Sequence, residues 1–244
     1  ITHNPIDDIP RDKRPRPRYK VKPILEDSQL SILLQKLFAI KENGTTIKNQ
    51  LFIYMALITG CRSGELLALS WSDIDFESRK ITIAKDIFVQ DCKTLVQNRT
   101  KGMTSRIVYI DDLCVNLLHK HKKYQSTWLE TRKMKNPNQY IFIKRTTKAN
   151  KAKEAELPGR ECFHHFLSKF LKKNGLPHID VHSLRRTAAS YSVSNQVPLT
   201  AIQSMLGHAS MSTTMIYLRT LEKSRKEGVS ALSNTYQDLM SKDR

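Results

Sequence analysis

The sequence predicts a mainly helical α+β domain with a small three-stranded antiparallel sheet. Apolar residues recur at three- and four-residue intervals through most of the chain, and β-branched runs cluster between residues 80 and 110. Of 244 residues, 39% are hydrophobic and 26% are charged, which is a globular balance with enough length for a real core. No apolar run approaches the ~18 residues of a bilayer span, so we expect no membrane partner.

Residues 1–23 predict an extended basic linker in front of the domain. Five of the nine prolines lie here, among many lysines and arginines. Proline disfavours helix and clustered like charge opposes collapse. We therefore expect the segment to run over a surface, either as a solvated tether or along DNA phosphates through Arg14, Arg16, Arg18 and Lys20.

The domain itself is predicted over residues 24–220 and begins with three helices. The first is capped by Asp27 or Ser28, and the second runs from Thr46 to Thr59, where Gly60 ends it in a left-handed conformation. A short third helix holds Glu65 to Leu69.

The sheet and further helices follow. The expected strands are 80–84, 87–89 and 106–110, with the last turn near Lys101 and Gly102. A basic polar loop is expected at 144–156. The tail 221–244 is predicted to carry an amphipathic helix over 230–240. The helices expected between sheet and tail are 111–124, 160–174, 183–195 and 199–205.

Charge and cysteine content narrow the function. The net charge of +18 makes a polyanion the expected partner, and nucleic acid is favoured over a membrane because no basic helix with aromatic anchors is evident. A soluble protein with a merely basic face remains the alternative. The four cysteines are far apart without a CxxC pair, so the sequence indicates reduced thiols in a cytoplasmic protein.

Four short motifs carry candidate chemistry. Arg62 stands three residues before Glu65 at a helix-to-helix corner, where a carboxylate can support a guanidinium one turn away. His182 and Arg185 are three apart at a predicted helix start, which favours anions. Leu206-Gly207-His208 is followed nine residues later by Tyr217 in Ser-Thr-Thr-Met-Ile-Tyr. Each motif alone has an ordinary structural explanation: an ion pair, a solvated helix end or a core aromatic residue.

In this order and spacing, from about Lys22 to Thr220, the motifs resemble the catalytic domain of the tyrosine recombinase (phage integrase) family, most closely integrases of phages and other mobile elements. The resemblance implies that Arg62, Arg185 and His208 hold the scissile phosphate, and that Tyr217 is the nucleophile. Glu65 matches the acid that supports Arg62, and His182 matches the second-box histidine. Lys101 resembles the hairpin lysine, for which Lys93 is a weaker candidate; Arg186 stands where many integrases have histidine, and we place it among the DNA-binding residues.

The implied reaction suits these residue types. Guanidinium groups can neutralise charge that grows on phosphate oxygens, so neither a metal nor a cofactor is expected. A lysine can protonate the leaving 5′-oxygen, while a histidine accepts or orients the tyrosine proton. The 3′-phosphotyrosine keeps the bond energy for rejoining, so strand exchange needs no ATP.

Several alternatives remain at this stage. Within the family, a host recombinase that resolves chromosome dimers is the runner-up, and type IB topoisomerases share the nucleophile. Outside it, the chain could be a non-catalytic DNA-binding protein, or a nuclease using Asp73 and Asp75 as metal ligands. The family resemblance further implies double-stranded attachment sites, a homotetramer on DNA with dimer intermediates, accessory DNA-bending proteins, and an N-terminal core-binding domain before the linker.

Overall fold

The computed structural model describes residues 9–10, 24–91, 93–98, 105–144 and 153–219. These ranges contain eight α-helices, a 3-10 turn at Trp71–Asp73 and five strands. The prediction of a mainly helical α+β fold is confirmed. The predicted linker residues Arg14, Arg16, Arg18 and Lys20, the hairpin Lys101 and the predicted tail helix lie outside the described residues.

The helices are α1 (Asp27–Phe38), α2 (Gly44–Thr59), α3 (Ser63–Leu67), α4 (Asp112–Arg132), α5 (Glu161–Lys173), α6 (Val181–Ser194), α7 (Leu199–Leu206) and α8 (Met211–Arg219).

The caps of α2 explain why it occupies these residues. The Asn43 side chain accepts hydrogen bonds from the N–H groups of Thr45 and Thr46, at 2.9 and 3.0 Å. Gly60 follows the last turn with φ of +60°, the left-handed conformation that the sequence predicted. In α1 the N-cap is Glu26 rather than Asp27 or Ser28, and its N–H donates to the Gln29 side chain.

The predicted three-stranded antiparallel sheet is confirmed, but the predicted strand 87–89 belongs to a second, separate sheet. Strands β1 (Ile74–Asp75), β2 (Lys80–Ile83) and β5 (Arg106–Tyr109) make a three-stranded antiparallel sheet in the order β1-β2-β5. Strands β3 (Lys85–Gln90) and β4 (Lys93–Asn98) form a separate hairpin that contains the predicted run 87–89. Strand β4 was missed because its sequence is largely polar, and even Leu95 is 40% exposed.

Helix α4 is two turns longer than predicted. Asp111 caps its start by accepting from the Cys114 N–H at 2.9 Å, as the sequence indicated. Beyond Tyr124 the apolar periodicity fades, but the buried Gln125 side chain donates to the Ile141 carbonyl and accepts from the Trp71 indole. Tertiary hydrogen bonds therefore hold a helical segment that lacks a strong apolar pattern.

Helix α2 lies at the centre of the domain. Its Phe52 stacks on Phe163 from α5 and contacts Phe142 edge-on, and all three rings are buried. Helices α4 and α6 both pack on α2, while α7 and α8 pack on α6 and on each other. This arrangement brings the C-terminal end of α2 next to the C-terminal end of α7, where the candidate site is formed. Within the described ranges, no helix is both long and apolar enough to cross a bilayer.

Candidate active site

The corner between α2 and α3 fixes Arg62 against a buried carboxylate. Arg62 donates from its backbone N–H to one Glu65 oxygen and from Nη1 to the other, each at 2.9 Å. The Glu65 side chain is fully buried, whereas 34% of the Arg62 side chain is exposed. The pair predicted from the sequence therefore exists, and Glu65 orients an arginine that solvent can reach.

Arg185 connects this corner to the end of α7. It is 2% exposed, and it donates from Nη1 to the Gly60 carbonyl at 2.7 Å and from Nη2 to the Leu206 carbonyl at 2.9 Å. One acceptor lies two residues before Arg62 and the other two residues before His208. A single planar guanidinium thus sets the spacing between two turns that are far apart in sequence.

A second buried arginine, which the sequence analysis missed, lies at the start of β5. Arg106 donates from Nη2 to Glu65 at 2.6 Å and from Nε to the Met205 carbonyl at 2.8 Å. Burial lowers its pKa, but a guanidinium stays charged at neutral pH. The signal that could have found it is strand alternation, which places Arg106 on the same inward face as Val108.

His208 directly follows Gly207, which ends α7 with φ of +66°. Its Nδ1 atom lies 2.9 Å from Oγ1 of Thr214, a fully buried residue of α8. Partial burial lowers the pKa of His208 from 6.5 to about 4, and the positive charges of Arg185, Arg62 and Arg106 contribute further. The imidazole is therefore neutral at pH 7.

The N-terminus of α6 differs from the predicted phosphate clamp. Asp180 occupies it, accepting a hydrogen bond from the Ser183 N–H at 2.7 Å, and Arg185 points into the interior. His182 is exposed in the first turn and lies close enough to lower the pKa of His208 slightly, while Arg186 is half-buried. Positive charge at the site therefore comes from side chains, since a carboxylate caps this helix end.

Other predicted residues are placed only in part. Residue 217 lies in α8, one turn after Thr214, and the side chain of Tyr217 is outside the described part of the structure. Lys93, the weaker candidate for the hairpin lysine, is exposed at the first position of β4.

Three guanidinium groups and one carboxylate meet at the two turns. Arg62 and Arg106 pair with Glu65, whereas Arg185 bonds to backbone carbonyls. The formal charge of these four side chains therefore sums to two positive units, while His208 is neutral. A positive, half-buried cluster of this kind can hold a phosphodiester and stabilise the additional charge of a pentavalent transition state. The roles of the individual residues stay predictions at this point.

The fold joins motifs that are separated by more than a hundred residues into one cluster, in the order that the sequence analysis identified. The family model described as "Phage integrase family" matches residues 25–224. The chain belongs to the phage integrase family. Its relatives and structural neighbours carry recombinase and integrase names.

Two relatives illustrate the likeness. A tyrosine recombinase XerC-like protein of Caldanaerobacter subterraneus is 27% identical over 198 residues, which cover 75% of this chain and 48% of the relative. The ICEBs1 integrase of Bacillus subtilis is 26% identical over 178 residues, covering 72% of this chain and 46% of the relative. The chain thus spans about half the length of each of these two relatives.

A solved structure supports the same fold. The Tn1549 transposon integrase, in complex with transposon right end DNA, superposes with a TM-score of 0.68 at 18% identity. The alignment covers 89% of this chain and 67% of that one. At this level of identity, the likeness shows that the two chains share a fold.

Proposed function

We propose that the protein containing this chain is a site-specific DNA recombinase that cuts and rejoins strands through a 3′-phosphotyrosine. The observation that carries the proposal is the bridge made by Arg185, which holds the Arg62 corner and the His208 turn at one position. Simple DNA binding does not require buried arginines that fix the geometry of two distant turns. Family membership supports the same reaction.

The proposed chemistry assigns a role to each group. Arg62, exposed on one side and held by Glu65 on the other, binds a nonbridging oxygen of the scissile phosphate. The positive charge of Arg185 contributes to stabilising the transition state. Neutral His208 offers a hydrogen bond to the phosphate without an additional charge, and His182 lies close enough to influence its pKa.

Bond making and breaking involve Tyr217 and Lys101 in this proposal. The tyrosine hydroxyl gives its proton to a neutral histidine of the site, and its oxygen forms the new bond to phosphorus while the bond from phosphorus to the 5′-oxygen breaks. Lys101 protonates that leaving oxygen. Attack by another strand's 5′-hydroxyl reverses these steps and returns the tyrosine.

The wider assembly follows from the same proposal. The basic residues Arg14, Arg16, Arg18, Lys20 and Arg186 contact the DNA backbone of double-stranded attachment sites. Four copies act together on two duplexes through dimer intermediates, aided by accessory DNA-bending proteins, in the cytoplasm. We propose integration or excision of a phage or other mobile element as the biological role, with resolution of chromosome dimers by a host recombinase as the alternative.

Trapping on a nicked duplex tests the reaction. The DNA flanking the gene is sequenced to identify the junction, and the full-length protein is incubated with a nicked junction duplex in excess EDTA. We expect a covalent product whose peptide map places the DNA on Tyr217, because guanidinium groups supply the charge that a metal would otherwise bring. Tyr217→Phe should leave DNA binding intact and abolish the product.

Two controls separate the alternatives. Tyr191→Phe removes a hydroxyl that bonds to Asp27 on the far side of α6 and should still form the product. Loss of cleavage on chelation, restored by magnesium, would instead support a nuclease that uses Asp73 and Asp75. Tight binding to the junction without any covalent product would support a DNA-binding protein that lacks catalysis.

A further inference from the structure

The last carbonyl groups of α7 accept hydrogen bonds from side chains as well as from the backbone. A helix leaves its last carbonyl groups without intrahelical partners. Here the carbonyls of Gln203 and Ser204 accept from the Gly207 N–H. The Met205 carbonyl accepts from the Arg106 side chain, and the Leu206 carbonyl accepts from the Arg185 side chain. Two arginines from different elements therefore complete the hydrogen bonding of the turn that leads into His208.

Arg106 also contacts the other turn of the site. Its Nη2 and Nη1 atoms lie 2.6 and 3.3 Å from the two oxygens of Glu65, the same carboxylate that holds Arg62. The two ends of this guanidinium thus bond to α3 and to α7. Arg106 from β5 and Arg185 from α6 span the same pair of turns independently.

The packing around Arg106 fits a guanidinium closely. A Cβ atom on Gly207 would lie 2.9 Å from Nη1 and 3.1 Å from Cζ, so the backbone of the turn contacts this side chain directly. Arg106 is 9% exposed, and its Nη2 also lies 3.5 Å from the Cys61 thiol. A lysine would keep the charge, but its single ammonium cannot reproduce the planar pattern that bonds Glu65 and the Met205 carbonyl together.

We propose that Arg106 is a positioning residue for the reaction, which sets His208 relative to Arg62 by joining the end of α7 to Glu65. It touches neither DNA nor the reacting atoms in this role, and it acts through the residues it holds. The inference rests on the proposed recombinase function for its catalytic consequence. Its structural consequence, coupling between the two turns, stands independently.

Hydrogen exchange tests the coupling without requiring activity. In the full-length protein, Arg106→Lys should speed amide exchange both in residues 60–66 and in residues 203–208, because a break at one end of the bridge loosens both turns. Faster exchange confined to β5 and its neighbouring strand would overturn the coupling. Lysine is chosen because it keeps a positive charge beside the buried Glu65, so that the fold is retained.

Cleavage of the nicked junction duplex tests the catalytic consequence. Arg106→Lys should slow formation of the covalent product on the order of 10²-fold, as expected for a misplaced site, with DNA affinity unchanged. The matched control is Lys85→Met, which removes the partly buried ion pair between the first residue of β3 and Asp73 in the 3-10 turn. It should lower the melting temperature and leave the cleavage rate nearly unchanged, because this pair bonds to neither the Arg62 corner nor the His208 turn.

The outcomes are distinguishable. If Arg106→Lys cleaves like the unaltered protein, or if Lys85→Met loses as much activity at equal loss of melting temperature, Arg106 is structural and the inference is wrong. If the unaltered protein forms no covalent product, the proposed function is wrong, and the exchange measurement still decides whether Arg106 couples the two turns.

Discussion

His208 is bonded to the helix that carries the proposed nucleophile, because its Nδ1 atom lies 2.9 Å from the Thr214 hydroxyl. Thr214 is fully buried and stands one helical turn before residue 217 in α8. The bond fixes the orientation of the imidazole and joins the α7 turn to α8. One hydrogen bond therefore links the position of His208 to the position of the helix that carries residue 217.

Thr214→Val should slow covalent product formation about fivefold, the effect of losing a hydrogen bond worth about 1 kcal/mol. Valine has the shape of threonine without the hydroxyl, and DNA affinity should not change. Thr214→Ser keeps the hydroxyl and is the control, which should cleave at nearly the original rate. Normal cleavage by Thr214→Val together with slow cleavage by Thr214→Ser would mean that packing of the methyl group, and not the bond to His208, is what matters.

The free energy of unfolding should depend on the protonation of His208 in mildly acidic solution. Its pKa of about 4 lies below the value of 6.5 for a free imidazole. Between these values the unfolded chain binds more protons than the folded chain, so stability falls as pH drops from about 6.5 towards 4. Urea unfolding at a series of pH values measures this, and His208→Gln should flatten the dependence in that window.

NMR titration of the His208 ring gives a second measurement of the same property. Binding of a duplex should raise the pKa of His208, because a phosphate offsets the arginine charges that now lower it. A ring that titrates near 6.5 in the free protein would contradict the neutral, partly desolvated imidazole assigned here.

Glu65→Gln should destabilise the fold by about 3 to 5 kcal/mol, since it removes the buried charge that balances Arg106 and leaves that guanidinium uncompensated. Asp73→Asn is the matched control, because Asp73 pairs with Lys85 at a less buried position and should cost clearly less. Urea midpoints of the two variants make the comparison. An equal loss of unfolding free energy in both variants would show that deeper burial does not make the Glu65 pair more important for stability.

Parts of this arrangement could be predicted from the sequence because they are local. The end of α2 at Thr59, the left-handed Gly60 and the pairing of Arg62 with Glu65 follow from residues within one or two turns of each other. The family resemblance added His182, Arg185, His208 and Tyr217 as an ordered set. Local patterns were sufficient for these features, since each is visible in a short window.

The remaining features depend on partners that are distant in the chain. Arg106 reaches Glu65 across 41 residues and Met205 across 99, so local strand alternation can indicate its burial but not its partners. The burial of Arg185 was likewise hidden, because a helix-start arginine is ordinarily solvated. The β3–β4 hairpin was missed since its second strand lacks an apolar face, and pairing with β3 determines its conformation.

Gly60→Ala should impair both stability and cleavage, and Gly175→Ala separates the two causes. Both glycines have positive φ, +60° and +66°, so alanine at either position carries the cost of a left-handed backbone, roughly 1 to 2 kcal/mol. A Cβ at residue 60 would in addition lie 2.6 Å from a methyl carbon of Leu206, whereas nothing lies within 4 Å of one at residue 175.

The difference between these variants therefore reports the close approach of the two turns. Because Gly60 also offers its carbonyl to Arg185, a shift there moves the Arg62 corner away from the His208 turn. We expect Gly60→Ala to lose more stability than Gly175→Ala and to slow covalent product formation, while Gly175→Ala cleaves normally. Urea unfolding and trapping on the nicked duplex measure the two effects. If both variants lose the same stability and cleave normally, the close approach of the α2 and α7 ends is not required for the reaction.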